Sequence, residues 1–469
     1  MIKKTLAILS ISAAYFAQAQ DISTIRNTVD VYSNSATQGS SKYQSIAGSM
    51  GALGGDFSTL NSNPAGIGVS IANDLAITLN VESYKNATSF GGATNTYKDN
   101  FAGIGNLGGV LTFSTGNSSP WKFVNVGISY SNQSLDNYVQ TPENNNLVYE
   151  KTDINGNTID NLTFKGHAYN RYGDLSKMSF GVGANYDHKI YVGAGLNFHS
   201  TDLKQWDTAA FASQKLNSTN TFEKQYTPFT ESSTGFSASM GVIGKLNNNF
   251  RLGAAVETPT WWNISRAYNF YDDPNYGDAT GVEDRKLSTP MKATLSAAFV
   301  ANKNFSMNVD YSLGLTKPKY KEYGAADAEL NNFFDDSYKN LSEVKVGAEY
   351  RIADFRVRGG YGFASNPFDT MSISALNSNG STENRSFDNL FIGKRNTMAF
   401  GVGYDFKTFY IDAAYQGITS TYSSPFLQGS ADYNTGYFSS DYIVESDSHA
   451  VSEVKNTRNN FFVTLGWKF

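Results

Sequence analysis

The side chains that could do chemistry are few, and their spacing points to binding rather than to bond making. The 469-residue chain has four histidines and no cysteine, which removes thiolate nucleophiles, thiolate metal sites and any disulfide framework. None of His167, His188, His199 and His449 stands in a Ser–His or zinc-site spacing. His199, with a tyrosine, is a candidate haem ligand, although a solvated histidine near the rim is the plainer reading. The run Asp153-Ile154-Asn155-Gly156-Asn157 is a fragment of a calcium loop without its terminal Glu. No enzymatic activity, metal or cofactor is expected. Charged residues of both signs recur at even spacing instead: Lys345, Glu349 and Arg351, then Arg356 and Arg358. Arg251, Glu257, Lys292, Asp310 and Asp412 take equivalent positions elsewhere. Even spacing places side chains on one face of a strand. If that face is enclosed, the charges pair into a structural network; the second reading is a carboxylate-binding patch at Arg351, Arg356 and Arg358.

The elements that would position these charges are visible as a period of two. Fourteen segments alternate apolar with small or polar residues: about 74 to 83, 107 to 115, 123 to 132, 176 to 187, 189 to 200, 235 to 246, 249 to 258, 290 to 301, 304 to 313, 341 to 351, 354 to 363, 396 to 406, 408 to 416 and 459 to 469. Met178, Phe180, Val182, Ala184 and Tyr186 show the pattern, with Ser179, Gly181, Gly183 and Asn185 between them. A strand of about 10 residues tilted by about 40° spans about 25 Å, the height of a membrane's apolar band. Tight links near Asp187-His188, Asn247-Asn248, Asn302-Lys303, Ala353 and Lys407 alternate with long polar stretches at 133 to 175, 201 to 234, 259 to 289, 364 to 395 and 417 to 458. That alternation predicts an all-β fold, a 14-stranded antiparallel transmembrane barrel with short turns on one side and long loops on the other.

The ends of the chain agree. Lys3 and Lys4, the apolar run from Leu6 to Phe16 and Ala17-Gln18-Ala19 read as a signal peptide over 1–19. The last residues put Phe461, Val463, Leu465, Trp467 and Phe469 on one face. A mean hydropathy of -0.37 conceals this, because the apolar residues are every second one; no run approaches the roughly 20 residues of a spanning helix. A net charge of -5 without a basic tract argues against nucleic-acid binding.

Residues 20–72 do not read as strands. Ser41 to Leu53 suggests short helices around Ile46, Met50 and Leu53, and glycines at 48, 51, 54, 55, 66 and 68 permit tight turns. Such a segment is expected to plug the barrel formed by 73–469. The run from Ser49 to Gly66, with Asn63-Pro64-Ala65 just before the first strand, resembles the amino-terminal hatch of the FadL family of outer-membrane transporters for hydrophobic compounds. The resemblance covers essentially the whole mature chain. Glu257-Thr258-Pro259-Thr260-Trp261-Trp262 and Arg358-Gly359-Gly360-Tyr361-Gly362 are similar to segments of its Bacteroidetes branch, often labelled haemin receptors.

That resemblance implies passive uptake of an amphiphile such as a long-chain fatty acid by a monomer in the outer membrane of a Gram-negative bacterium. The cargo would be caught by external loops, pass a hatch and leave sideways into the bilayer lipid. The terminal Phe469 would be read by the barrel assembly machinery. Capture is expected at Trp206, Phe211, Trp261, Trp262, Phe270 and Tyr271, with an outer aromatic girdle as the alternative for Trp261 and Trp262. The inner pocket is expected at Met50, Leu53, Phe57, Leu60, Asn63, Pro64 and Ala65. Gating is expected at Pro64, whose fixed φ suits an irregular hatch, and at Gly127, at a kink resembling the family's lateral opening. The alternatives are an assembly or anchor partner in a secretion system, uptake of haem or an aromatic compound, and an open porin, which a plug disfavours.

Overall fold

Alternation of apolar with small or polar residues closes the wall. The computed structural model describes residues 22–33, 38–116, 119–152, 157–273, 277–429, 435–439 and 443–469. The signal-peptide segment and most of the calcium-loop fragment lie outside them. The wall strands are β1 Asp74–Phe90, β2 Ala93–Ser114, β3 Trp121–Ser134, β4 Thr158–Tyr186, β5 Ile190–Ser213, β6 Phe229–Lys245, β7 Phe250–Glu257, β8 Lys292–Val300, β9 Phe305–Gly314, β10 Ser342–Ile352, β11 Phe355–Ala364, β12 Arg395–Asp405, β13 Phe409–Phe426 and β14 Ala450–Lys468. Each pairs antiparallel with the next, and β14 returns to β1 from Asp74↔Lys468 onward. The result is a closed barrel of fourteen strands, and all fourteen expected segments lie in it.

The outer face carries the apolar set. Leu75, Leu79, Val81, Phe180, Val182, Phe400, Phe461, Val463 and Trp467 are exposed, whereas Thr78, Asn80, Ser179 and Thr464 point inward and are buried. This inversion of the usual globular pattern is what a lipid-facing barrel requires. Tight turns at the short-turn end place Asp187, His188, Ala353 and Lys407 at positive φ.

The expected long loops are largely strands. β4 is 29 residues long and β5 24, and β1 and β2 meet at a two-residue Gly91-Gly92 turn. Further hairpins, Trp261–Asp273 with Gly277–Ser288 and Met371–Leu376 with Thr382–Phe387, stand at the same end. Two apolar cores fill it, one around Trp262, Leu330, Phe333 and Phe368, the other around Phe164, Phe211, Phe222 and Phe426.

Candidate functional site

The N-terminal segment runs through the lumen. Its lower part, residues 40–70, is a chain of short turns. Asp56 caps the 3-10 helix Phe57–Asn61 and Asn63 caps the 3-10 helix Pro64–Val69, with Pro64 in its first turn. Inward wall groups take the free backbone donors and acceptors: Ser41 N donates to Thr464 Oγ1 (2.7 Å), Met50 N to Asp310 Oδ2 (3.0 Å) and Ala52 N to Asn308 Oδ1 (3.2 Å). Asn125 Nδ2 donates to Ile67 O (2.7 Å).

Inward glycines let the segment lie directly on the wall. A Cβ on Gly193 would stand 2.4 Å from Pro64 O, one on Gly241 2.0 Å from Asn63 Oδ1, and one on Gly360 2.3 Å from the Ile46 carbonyl carbon. Met50, Phe57, Leu60 and Ala65 are fully buried against this wall, and Leu53 is half-buried with its carbonyl accepting from Arg251 Nη1 (3.0 Å). None of these expected pocket residues lines the cavities described below. Pro64 likewise sits in a capped helix pressed onto Gly193.

Above this plug, the helix Ile22–Asn27 and the π-helical turn Thr28–Ser33 occupy the long-loop end of the lumen. Ile25, Val29, Val31 and Tyr32 join the first apolar core, and Tyr32 packs edge-on against Trp262 at 4.9 Å. Polar side chains hold the rest: Arg171 Nη2 to Asp30 Oδ2 (2.6 Å), Arg26 Nη2 to Ser424 Oγ (2.7 Å), Arg285 Nη1 to Thr24 Oγ1 (2.9 Å), and Tyr32 OH to Glu231. Burial alone would raise the Asp30 carboxyl, but the adjacent Arg171 guanidinium holds it below the ordinary carboxylate range.

Two cavities adjoin the N-terminal segment. One of about 110 Å³ is lined by Arg26, Asp30, Glu82, Arg171, Arg395 and Arg458 among others, and one of about 100 Å³ by Lys177, His199, Glu257, Trp262 and Lys292 among others. Both are polar. His199 bonds Ser237 Oγ at 3.2 Å beside a space too small for a porphyrin, since pockets for ligands of that size run to several hundred Å³. The expected patch at 351–358 is largely neutralised: Arg358 bonds Glu349 and Asp412, each at 2.6 Å, and Arg356 bonds Asp405 at 2.6 Å, while Arg351 is half-buried. The basic cluster at Arg26, Arg171 and Arg458 was not anticipated, because no short-range spacing links three residues so far apart in sequence.

The capture residues separate. Trp261 is exposed and stacked on Phe236 at 6.2 Å on the lipid face, the girdle position, whereas Trp262 faces inward and is 3% exposed. Phe211 is fully buried in the second core and cannot meet a ligand from outside. Phe270 lies 6.0 Å from Tyr268, and Tyr271 stacks on Phe438 at 4.9 Å. Trp206 packs edge-on to Tyr172 at 6.0 Å.

The wall opens where the sequence does not mark it. β2 pairs with β1 from Ala93 to Val110, but with β3 only over Asn106–Ser114. From Gly105 to Ala93 it pairs, among the described residues, with β1 alone. β3 runs through Gly127 without a break in either ladder, so the kink expected there is absent; Gly127 faces Ile67 and Leu60. The departure comes after Ser131. The chain turns inward, where Arg458 on β14 bonds the carbonyls of Ser134 (3.5 Å) and Asp136 (2.5 Å), and Asn86 on β1 bonds Asn137 Oδ1 (2.8 Å). The seam starts beside the exposed pair Leu79 and Ile104, within the apolar band. Tyr97 and Tyr138, 4.4 Å apart, border it.

No family model and no curated protein matches the sequence. Solved structures do. The toluene transporter TodX of Pseudomonas putida superposes with a TM-score of 0.56 at 13% identity, over 93% of this chain and 99% of that one. A FadL homologue of Pseudomonas aeruginosa gives 0.56 at 14%, over 93% and 99%. The toluene transporter TbuX of Ralstonia pickettii gives 0.53 at 14%, over 92% and 99%. The chain has the FadL-type fold. In a FadL-type barrel of this sequence, three features stand together: a plug seated on wall glycines, an upper segment held by side chains, and a wall seam between β2 and β3.

Proposed function

We propose that this FadL-type barrel is an outer-membrane channel for hydrophobic or amphiphilic small molecules, which enter from the long-loop side and leave sideways between β2 and β3. The observation that carries this reading is the free edge of β2 from Ala93 to Gly105. An unpaired strand edge facing hydrocarbon leaves backbone groups without partners and is tolerated at membrane depth where it lines a cavity or is covered by protein. Here it begins within the apolar band, bordered by Phe101, Ile104, Tyr97 and Tyr138. An apolar molecule leaving there exchanges a protein groove for lipid without crossing the polar headgroup layer, and the area kept from water is worth roughly 25 cal/mol per Å². The plug below argues against an open aqueous channel, and the near-complete overlap with solved toluene transporters supports the same class of cargo.

The test uses deletion cells carrying the protein and a photoactivatable long-chain fatty acid. Uptake should depend on the protein, and cross-links should concentrate on residues 97–105 and 130–138. Labelling spread evenly over the lipid-facing strands, or uptake equal to that of cells without the protein, would defeat the proposal.

A further inference from the structure

A groove of about 570 Å³ lies on the outer face of the wall at the long-loop end, where β6 meets the hairpin Trp261–Asp273 with Gly277–Ser288. Ser232 and Thr234 on β6 line it together with Asn263, Ser265, Asp284 and Lys286 on the hairpin, and all six are exposed. Below it on the same face Trp261 stacks on Phe236, and Met240 is exposed to lipid. The groove therefore starts where the apolar band ends. Three lysines gather at that border. The two-residue strand Lys319–Tyr320 pairs with Ser288 and Leu287, and the next residue continues the ladder, with Lys321 N donating to Lys286 O at 2.9 Å. Lys286 and Lys321 thus face each other across a strand pair, Lys319 stands diagonal to Lys286, and all three are exposed. None is in an ion pair among the described residues. Like charges set opposite each other on a sheet repel, and an anion shared between them removes that repulsion.

We infer that this groove holds the head of a phosphorylated glycolipid from the membrane leaflet at the long-loop end. Lys286, Lys319 and Lys321 take the phosphate, the groove takes the sugar, and the acyl chains lie over Phe236, Trp261 and Met240. Lysines clustered at the border of the apolar band meet lipid phosphates at their own depth, and each adds about fivefold to the affinity. The upper part of the groove selects a sugar over a second phosphate. Asp284 stands opposite Ser265, two residues farther from Trp261 than the Asn263–Lys286 pair, and its carboxylate repels phosphate but accepts from a hydroxyl. The hydroxyls of Ser232, Thr234 and Ser265 and the amide of Asn263 supply further partners for a sugar. A volume of about 570 Å³ suits a head of one or two sugar rings, since pockets for ligands of that size run to several hundred Å³. The inference needs the barrel to sit in a membrane and does not depend on what the lumen carries.

The experiment adds fluorophore-labelled lipid A, a phosphorylated disaccharide lipid, to the purified full-length barrel in phosphatidylcholine nanodiscs and reads energy transfer from the barrel's tryptophans. Unlabelled lipid A, dephosphorylated lipid A, phosphatidylglycerol and inorganic phosphate serve as competitors. Lys286→Gln, Lys319→Gln and Lys321→Gln together should weaken lipid A about 100-fold. Lys189→Gln, Lys303→Gln and Lys407→Gln together, which remove the same charge at the short-turn end, should change it less than about twofold. Ser265→Phe obstructs the groove and keeps every charge, and loss of the sugar's hydrogen bonds should cost about 10-fold. Dephosphorylated lipid A and phosphatidylglycerol should each compete at least about 10-fold less well than lipid A. Every variant is first shown to be a folded, heat-modifiable barrel. Equal losses in the two lysine triples, lipid A unmoved by Ser265→Phe, phosphatidylglycerol or dephosphorylated lipid A competing as well as lipid A, or no binding to wild type would overturn the proposal. Displacement by millimolar inorganic phosphate alone would overturn it too, by showing a site for a free anion.

Discussion

Replacing Asn63 by Ala should unseat the lower plug while leaving the barrel intact. Asn63 Nδ2 donates to Gly51 O at 2.7 Å and to Val242 O at 3.2 Å, and Oδ1 accepts from Ala65 N at 3.1 Å. One side chain therefore joins two turns of the plug to β6 and caps the helix that follows. Each neutral hydrogen bond contributes about 1 kcal/mol net, and Asn63 is 1% exposed, so water does not replace the lost partners. The sum is about 3 kcal/mol, or about 150-fold in the population of the unseated plug, since each 1.4 kcal/mol is tenfold. Asn63→Asp keeps the acceptor but turns a carboxylate oxygen toward the carbonyls of Gly51 and Val242, so it should unseat the plug at least as much as the alanine does. Amide hydrogen exchange reads this directly: peptides covering 57–70 should open about 150-fold more often in Asn63→Ala, with β10 to β13 as an unchanged reference. Equal protection of 57–70 in the variant and wild type would show that the plug is held by its fit to the wall glycines alone, and the hydrogen-bond account would be wrong.

The other predictions concern fit, charge, aromatic packing and pH. Gly241→Val places side-chain carbon where Asn63 Oδ1 lies, an overpacking of about 1–3 kcal/mol; it should raise exchange in the same plug peptides and add conductance steps in planar bilayers. Arg358→Met leaves Glu349 and Asp412 inside the wall without their cation, a loss of about 3–5 kcal/mol visible as a lower unfolding midpoint, and neutralising both acids in the same protein should restore most of it. Trp262→Ala should cost about 3–5 kcal/mol in the upper core, whereas Trp261→Ala on the lipid face should leave exchange of residues 22–33 unchanged. Burial depresses the His449 imidazole from 6.5 to about 3. The unfolded chain then binds a proton that the folded one refuses, so stability is full above pH 6.5 and falls as pH drops from 6.5 toward 3. At pH 5 the loss is about 2 kcal/mol, and His449→Gln should remove that part of the acid sensitivity in melts at pH 5 and pH 8.

The wall was legible because lipid imposes its own period. A residue such as Val182 or Phe461 must be apolar where the strand faces hydrocarbon and its neighbour must be small or polar, so alternation survives in every spanning segment. Beyond the apolar band neither face has that obligation, and the signal fades: residues 158–175 continue β4 with Thr163, Lys165 and Asn170 on faces that no lipid constrains. The helix Ala325–Ser337 was within reach, since Leu330, Phe333 and Phe334 stand at helical spacing and are buried. The contacts that seat the plug were not. Gly193 under Pro64 and Gly241 under Asn63 are ordinary strand glycines until the third dimension is known, and Arg26, Arg171 and Arg458 meet only because three distant elements share one lumen.

The two halves of the N-terminal segment are attached by different means, and that difference assigns their roles. Residues 40–70 offer backbone amides and carbonyls to Thr464, Asp310, Asn308 and Asn125, and lie on glycines that no rotamer change can vacate. Moving them would expose many peptide groups at once, each costing on the order of 1–3 kcal/mol if left unpaired. Residues 22–33 are held through side chains, by Asp30 on Arg171, Arg26 on Ser424, and Thr24 under Arg285 and Arg266. Side-chain pairs can be exchanged one at a time for a ligand or for water, so the low-energy motion of this lumen belongs to the upper segment. Just past the point where β3 leaves β2, Leu135 shares the apolar core with Ile25 and Asp136 O accepts from Arg458. The glycines under Asn63 and Pro64 lie on β6 and β5, not on the strands that border the β2–β3 seam, so the proposed lateral exit does not require Asn63 or Pro64 to move.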